Sequence, residues 1–256
     1  MRQFIILLII MPIYAFQSLY QNVYDWIITR SDRYSIDDSH NHVHSREVLA
    51  HYLALNRERA ATEEMHQCSV LGCMLHDMMD KKYLPEQVGL DDILLFLSAQ
   101  KVNEKIIDAL AVFLPSVSYS ETVWQKNEEL VLDVPARVVS HEYYPCYEAI
   151  RASDLISSFN LQRTLLYHLK KGGRTATTRE AFHHLAMLYE SRMDKLIKYN
   201  IIPEWAHEYS IPIHLKSKQV LERVSKNLTD DTSFRKLYYA CFIYQIPEWE
   251  EIRDEI

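Results

Sequence analysis

Glycine is nearly missing from this chain, with four residues in 256 (Gly72, Gly89, Gly172 and Gly173), where average usage would supply about 18. The shortage closes off designs that need backbone freedom at fixed places. A dinucleotide-binding loop takes three glycines in one short stretch, and a phosphate-cradling P-loop takes two beside a Lys; the four here assemble neither. A many-stranded sandwich or barrel needs turn residues every 8–12 residues or so, which this chain lacks. An all-α protein is what remains. With 48% hydrophobic and 25% charged residues, the chain can bury a large core in one domain or in one domain with a lobe.

The formal charge of −7 argues against duplex nucleic acid as a partner, since that affinity rests on Lys and Arg neutralising phosphates. Cys68, Cys73, Cys146 and Cys241 form no CxxC pair, so neither a zinc knuckle nor a redox dithiol is expected. They read as buried, reduced thiols of a cytosolic protein. The apolar run Phe4 to Phe16 spans 13 residues, short of the roughly 20 that a membrane span requires. Tyr20, Val23, Tyr24, Trp26 and Ile27 continue it at helical spacing, which favours a buried first helix in a cytoplasmic protein. A signal-like or anchoring segment over residues 1–16, and with it secretion or membrane attachment, is the alternative.

Helical periodicity runs through most of the chain. It predicts helices over about 17–30, 44–56, 62–80, 90–98, 103–113, 142–159, 161–170, 177–199 and 215–226, with a flexible Gly172–Thr178 turn capped onward by Thr177 or Thr178. Ser118 to Ser140 is the least regular stretch and reads as a covering loop, with Pro135 stopping any helix. After Pro203 the chain reads as a C-terminal helical appendage over 201–256. Its acidic end (Glu248, Glu250, Glu251, Asp254, Glu255) reads as solvated.

Chemistry concentrates in three places. DDSHNHVHSREV starts at Asp37 and sets His40, His42 and His44 where a helix should begin, with Ser39 as a cap. LGCMLHDMMDKKY delivers the adjacent pair His76-Asp77 at the end of an apolar helix. An imidazole and a carboxylate are costly to bury there unless something compensates them, and a divalent cation would. Neighbouring helical residues point about 100° apart, so further ligands must come from other helices. A His of the first segment and Asp154, set among Ile150, Leu155, Ile156 and Phe159, are the candidates.

These residues resemble the H…HD…D pattern of the HD-domain metal-dependent phosphohydrolases. The resemblance covers about residues 17–170 and implies His44 as first ligand, His76 and Asp77 as the HD pair, and Asp154 as last ligand. Ser39-His40-x-x-x-His44, His76-Asp77-x-x-Asp80-x-Lys82 and Ser118-Tyr119-Ser120 look like further motifs of one branch. Where that branch has DADxLD, this chain reads Ala152-Ser153-Asp154-Leu155-Ile156-Ser157. The fold implied is an HD-domain helical bundle over 17–200 with 201–256 packed on it. Two imidazoles and two carboxylates without a thiolate suit one Mn²⁺, Mg²⁺, Fe²⁺ or Ni²⁺ rather than structural zinc.

The activity implied is hydrolysis of a phosphomonoester or phosphoanhydride bond in a nucleotide or small phosphorylated metabolite by metal-activated water. Asp77, Asp80 and Lys82 would be catalytic, Asp80 handling the proton. Lys82 would anchor phosphate, with Arg151 or Arg163 as second clamps and Tyr119 and His40 lining the substrate site. A catalytically weak or inactive nucleotide-binding protein of the same fold is the alternative, and the pattern leaves the oligomeric state open. Simpler readings stand beside these. His40 competes with His44 as ligand or fixes its surroundings, Asp154 could pair with an Arg, and Asp80-Lys81-Lys82 could be a solvated helix end. His183 and His184 read as packing residues, and Lys170, Lys171, Arg174 and Arg179 as a solvated surface.

Overall fold

The computed structural model describes the backbone of residues 2–56, 62–85, 88–126, 129–171 and 177–256, and their side chains outside 2–17, 56 and 169–171. The fold is all-α, and one two-stranded hairpin is the only sheet among the described residues. The first half comprises α1 (Arg2–Tyr34), α2 (His42–Asn56), α3 (Glu63–Leu75), α4 (Leu90–Ala99) and α5 (Glu104–Phe113). The hairpin region follows with α6 (Tyr119–Thr122), β1 (Val123–Lys126), β2 (Glu129–Leu132) and α7 (Ala136–Val139). Then come α8 (Tyr144–Ser157), α9 (Leu161–Lys171), α10 (Thr178–Leu188), α11 (Asp194–Lys198), α12 (His207–Asn227), α13 (Phe234–Ala240) and α14 (Trp249–Arg253). No described helix is long and apolar enough to cross a membrane.

With glycine so scarce, the left-handed positions fall on other residues: Ser35, Lys101 and Asn200 have φ of 53°, 60° and 52°, each just past a helix end where Gly usually sits. The start signals are local. Asn41, not the expected Ser39, caps α2 by accepting from the Val43 N–H at 2.9 Å, because Ser39 turns its own N–H and hydroxyl to Asp37. Thr177 and Glu180 form a reciprocal capping box on α10.

Two apolar cores meet along α8. Helices α2, α3 and α5 bury Val48, Leu49, Leu71, Leu75, Ile106 and Leu110 against Ile150 in the first core. Leu155, Ile156 and Phe159 face the second, which α10 and α12 close with Phe182, Leu185 and Val220. All four cysteines are buried and free.

Several sequence expectations shift. Ser118–Ser140 is not a loop: β1 and β2 pair antiparallel, with Trp124 opposite Val131. The predicted 177–199 helix is interrupted by a π-helical turn, Tyr189–Met193. The acids of the C-terminal end are exposed as expected, but Trp249 and Ile252 among them enter the first core and Trp249 stacks on Tyr24 at 4.2 Å. His183 and His184 are exposed rather than packed. Arg179 is a surface residue paired with Asp230 at 3.0 Å, while the side chains of Lys170 and Lys171 and all of Arg174 lie outside the described residues.

Candidate metal centre

Three helices deliver the four expected ligands. His44 stands in the first turn of α2, Asp154 stands near the end of α8, and His76 closes α3 with its N–H on Gly72 O at 3.1 Å. Asp77 follows in the turn beyond α3, so the pair does not have to diverge as two neighbours inside a helix would. The two imidazole Nε2 atoms lie 3.2 Å apart. Asp77 Oδ2 lies 3.4 Å from His44 Nε2 and 3.5 Å from His76 Nε2. Asp154 Oδ1 lies 3.4 and 3.6 Å from the same two nitrogens. His44, His76 and Asp77 also meet as a trio able to hold an ion, and the Asp154 distances add the fourth donor.

The donor chemistry fits a cation. His76 Nδ1 lies 2.9 Å from Cys73 O, which can only accept, so Nδ1 carries the proton and the neutral ring presents a bare lone pair at Nε2. That lone pair faces the His44 Nε2 and two carboxylate oxygens, an arrangement that repels unless positive charge sits among them. At metal–ligand distances of about 2.1 Å, neighbouring ligands stand about 3.0–3.4 Å apart, close to the separations found. Burial alone would lower the His76 pKa, yet Asp77 and Asp154 raise it to about 9. Burial likewise works against both carboxylates, and the imidazoles hold them below the usual range. In the bare chain a proton takes the place a cation would occupy, and the two compete.

The imidazole side chains are 1% exposed and the carboxylates 16% and 17%, so the acids form the open side of the cluster. They open onto a pocket of about 410 Å³ that His40, Asp80, Lys82, Tyr119, Arg163 and Arg192 also line. His40 lines the pocket wall, its Nδ1 held by Ser39 Oγ at 2.7 Å and Tyr83 OH at 3.1 Å. His42 turns its edge to the Tyr24 ring at 5.9 Å. Asp80 accepts from the Lys82 N–H at 2.9 Å and from Lys82 Nζ at 3.2 Å, a local pairing in the turns that follow α3.

The expected second clamps behave differently from one another. Arg151 does not line the pocket; it is buried, donating to Ile201 O at 3.0 Å and reaching Thr122 Oγ1 at 3.4 Å. Its role as a substrate clamp is withdrawn, since α8 points it toward the second core instead. Arg163 does line the pocket, but it donates to Ser39 O and Ser157 Oγ, both at 3.2 Å, and lies 3.7 Å from Glu47.

Glu47 and Arg192 were not singled out from sequence. Glu47, wholly buried on α2, sets Oε2 3.7 Å from His44 Nδ1 and accepts at Oε1 from Asn160 Nδ2 at 2.7 Å and from the Tyr244 hydroxyl. Burial raises its pKa, but His44 and Arg163 bring it below the usual carboxylate range. The available signal was an acid one turn past His44, amid Val48, Leu49 and Tyr52. Arg192 had no such signal.

No protein-family model, curated protein or solved structure matches this chain.

Proposed function

We propose that the chain is a metal-dependent phosphohydrolase of the HD type, acting on a phosphomonoester or phosphoanhydride bond of a nucleotide or small phosphorylated metabolite. The observation that carries this reading is the convergence of His44, His76, Asp77 and Asp154, within 3.2–3.6 Å of one another across the imidazole nitrogens, with His44, Asp77 and Asp154 lining a pocket that Lys82, Arg163 and Arg192 share. These four residues would hold one divalent ion, with Mn²⁺, Mg²⁺, Fe²⁺ and Ni²⁺ all compatible with two imidazoles and two carboxylates. When bound, such an ion supplies Lewis acidity toward phosphoryl oxygens and toward water.

The chain's own residues supply the rest. Asp80, on the pocket wall, is placed to accept a proton from water or to return one to the leaving group. Lys82, its side chain 60% exposed at the rim, gives a point charge for an arriving phosphate. Burial of the two imidazoles keeps solvent from competing for their nitrogens, and His40 and Tyr119 give the pocket aromatic walls.

A second reading, a nucleotide-binding protein that holds the ion without turnover, draws on the residues flanking Asp154. Ala152 is buried in the second core, and Ser157 donates to Asp154 O at 2.6 Å, so neither position offers a carboxylate.

Elemental analysis and a phosphate-release panel over nucleotides with Mn²⁺ test the proposal. Wild type should retain about one ion per chain and release phosphate, and D77A should lose both. Full metal retention by D77A overturns the site, whereas tight nucleotide binding without release favours the second reading.

A further inference from the structure

Of the pocket's cations, three are accounted for and one is not. Lys82 is paired with Asp80 at the rim, Arg163 is committed to Ser39, Ser157 and Glu47, and any bound ion belongs to the four-residue cluster. Arg192 also lines the pocket. Among the described residues no carboxylate pairs with it, and its buried Nε has no hydrogen-bond partner. Its guanidinium carbon lies 3.4 Å from the centre of the Tyr119 ring, a stack that fixes the plane of the donor fork and leaves its edges for a ligand. Burial works against the charge, Tyr119 and Asp154 offset part of that cost, and a bound anion would offset more of it.

The backbone is built to present this side chain. Leu185, Tyr189, Met193 and Leu196 are all buried in the second core, and the first three recur every four residues, a spacing that drifts around an α-helix of 3.6 residues per turn. The π-turn Tyr189–Met193 adds a residue to one turn, so Tyr189 and Met193 both keep their places in the core while Arg192 stands on the pocket side. Single π-turns of this kind recur at functional sites. The metal ligands on α2 and α3 stand on the first core and Arg192 on the second, so the pocket spans the seam between them. Ser118 and Ser120, whose hydroxyls lie 3.1 Å apart beside Tyr119, line the same wall.

We propose that Arg192, braced on Tyr119, anchors a second anion subsite, so that the natural ligand carries one phosphate at the His44, His76, Asp77 and Asp154 cluster and a further phosphate at Arg192. The assignment rests on the reading of that cluster as a metal centre for phosphate chemistry. A tetrahedral oxyanion matches the site, because it can accept two parallel bonds from the guanidinium fork and one from a serine hydroxyl.

Calorimetric titration of the full chain, with Mn²⁺ in excess over protein and probe, compares orthophosphate with tripolyphosphate. Wild type should bind tripolyphosphate at least tenfold more tightly. R192Q should lose at least tenfold in tripolyphosphate affinity while keeping its orthophosphate affinity and metal content. R192K, which keeps the charge without the planar fork, should fall between, and K82Q should weaken both probes alike. The subsite is overturned if R192Q binds tripolyphosphate as wild type does. It is also overturned if R192Q weakens both probes equally, since Arg192 would then hold the phosphate at the cluster. A metal-loaded wild type that binds neither probe removes the phosphate reading itself, whereas one that binds both equally removes only the second subsite.

Discussion

Glu47 decides how firmly the proposed centre is held. A ligating imidazole generally gives its second ring nitrogen to an acceptor that fixes its orientation, and Glu47 is the one facing His44 Nδ1, at 3.7 Å. Glu47 is itself fixed by Asn160, Tyr244 and Arg163. E47Q keeps the volume and removes the charge, leaving Arg163 with no acid and His44 with a weaker orienting partner. Metal affinity should fall about 10- to 100-fold, read by competition with a chromogenic chelator; an unchanged affinity would show that His44 needs no such support. Of the four proposed ligands, His76, Asp77 and Asp154 were legible as polar groups inside apolar sequence, where burial is costly without compensation, whereas His44 stands in a polar segment beside two other histidines and only the family resemblance singled it out. Glu47 obeys the same rule, but two of its partners lie 113 and 197 residues away, and nothing local announces them. Arg151, Arg163 and Arg192 look alike as letters. Only the packing of α8, α9 and the π-turn separates a buried brace, a committed wall and a free donor.

At the scale of elements, α3 brings His76 and Asp77 to the site because it lies close against α8, and Gly72 permits that approach. A methyl group there would meet Ile150 Cδ1 at 2.2 Å and Cγ1 at 2.8 Å, and Ile150 is fully buried, so it cannot swing aside into solvent. Alanine is favoured over glycine inside a helix by about 1 kcal/mol, but overpacking a filled core costs about 1–3 kcal/mol. G72A should therefore destabilise the fold by up to about 2 kcal/mol in urea unfolding. I150V removes Cδ1, so the G72A/I150V double variant should be more stable than the sum of the single effects predicts. Strict additivity would mean that the two residues do not share this space. The long helices were legible because their apolar faces repeat at helical period, and the observed α2, α4, α5, α8 and α9 fall close to the predicted spans. The hairpin at Val123–Leu132 was not. Two four-residue strands carry too little periodicity to register, and the second exposes every residue but Leu130. The π-turn was equally silent, since one added residue leaves the hydrophobic pattern almost intact.

The molecule as a whole is closed by its C-terminal segment, which returns to α1 through the Trp249–Gln21 hydrogen bond at 2.7 Å and to α2 through Tyr244. Between that segment and α12 lies His51, buried, with Nδ1 2.9 Å from Tyr209 OH and Nε2 3.0 Å from Tyr244 OH. Glu47, His44 and Arg163 are the charged and titratable groups nearest it. Burial lowers its pKa from 6.5 to about 4, although Glu47 pulls the other way. The folded protein therefore keeps His51 neutral where the unfolded chain takes up a proton. Above pH 6.5 neither state is protonated there, and His51 adds no pH dependence. Between pH 6.5 and about 4 only the unfolded state gains the proton, so stability falls by about 1.4 kcal/mol per pH unit, to a total near 3 kcal/mol. Below that window both states carry it and the loss levels off. H51Q cannot titrate but still offers polar atoms to the two tyrosine hydroxyls. Urea unfolding in chelator-containing buffer at pH 7, 6, 5 and 4.5 should show a shallower decline for H51Q than for wild type, the curves converging toward low pH. The chelator prevents metal release from adding its own slope. If the two proteins lose stability in parallel across the window, His51 is not the source of that loss.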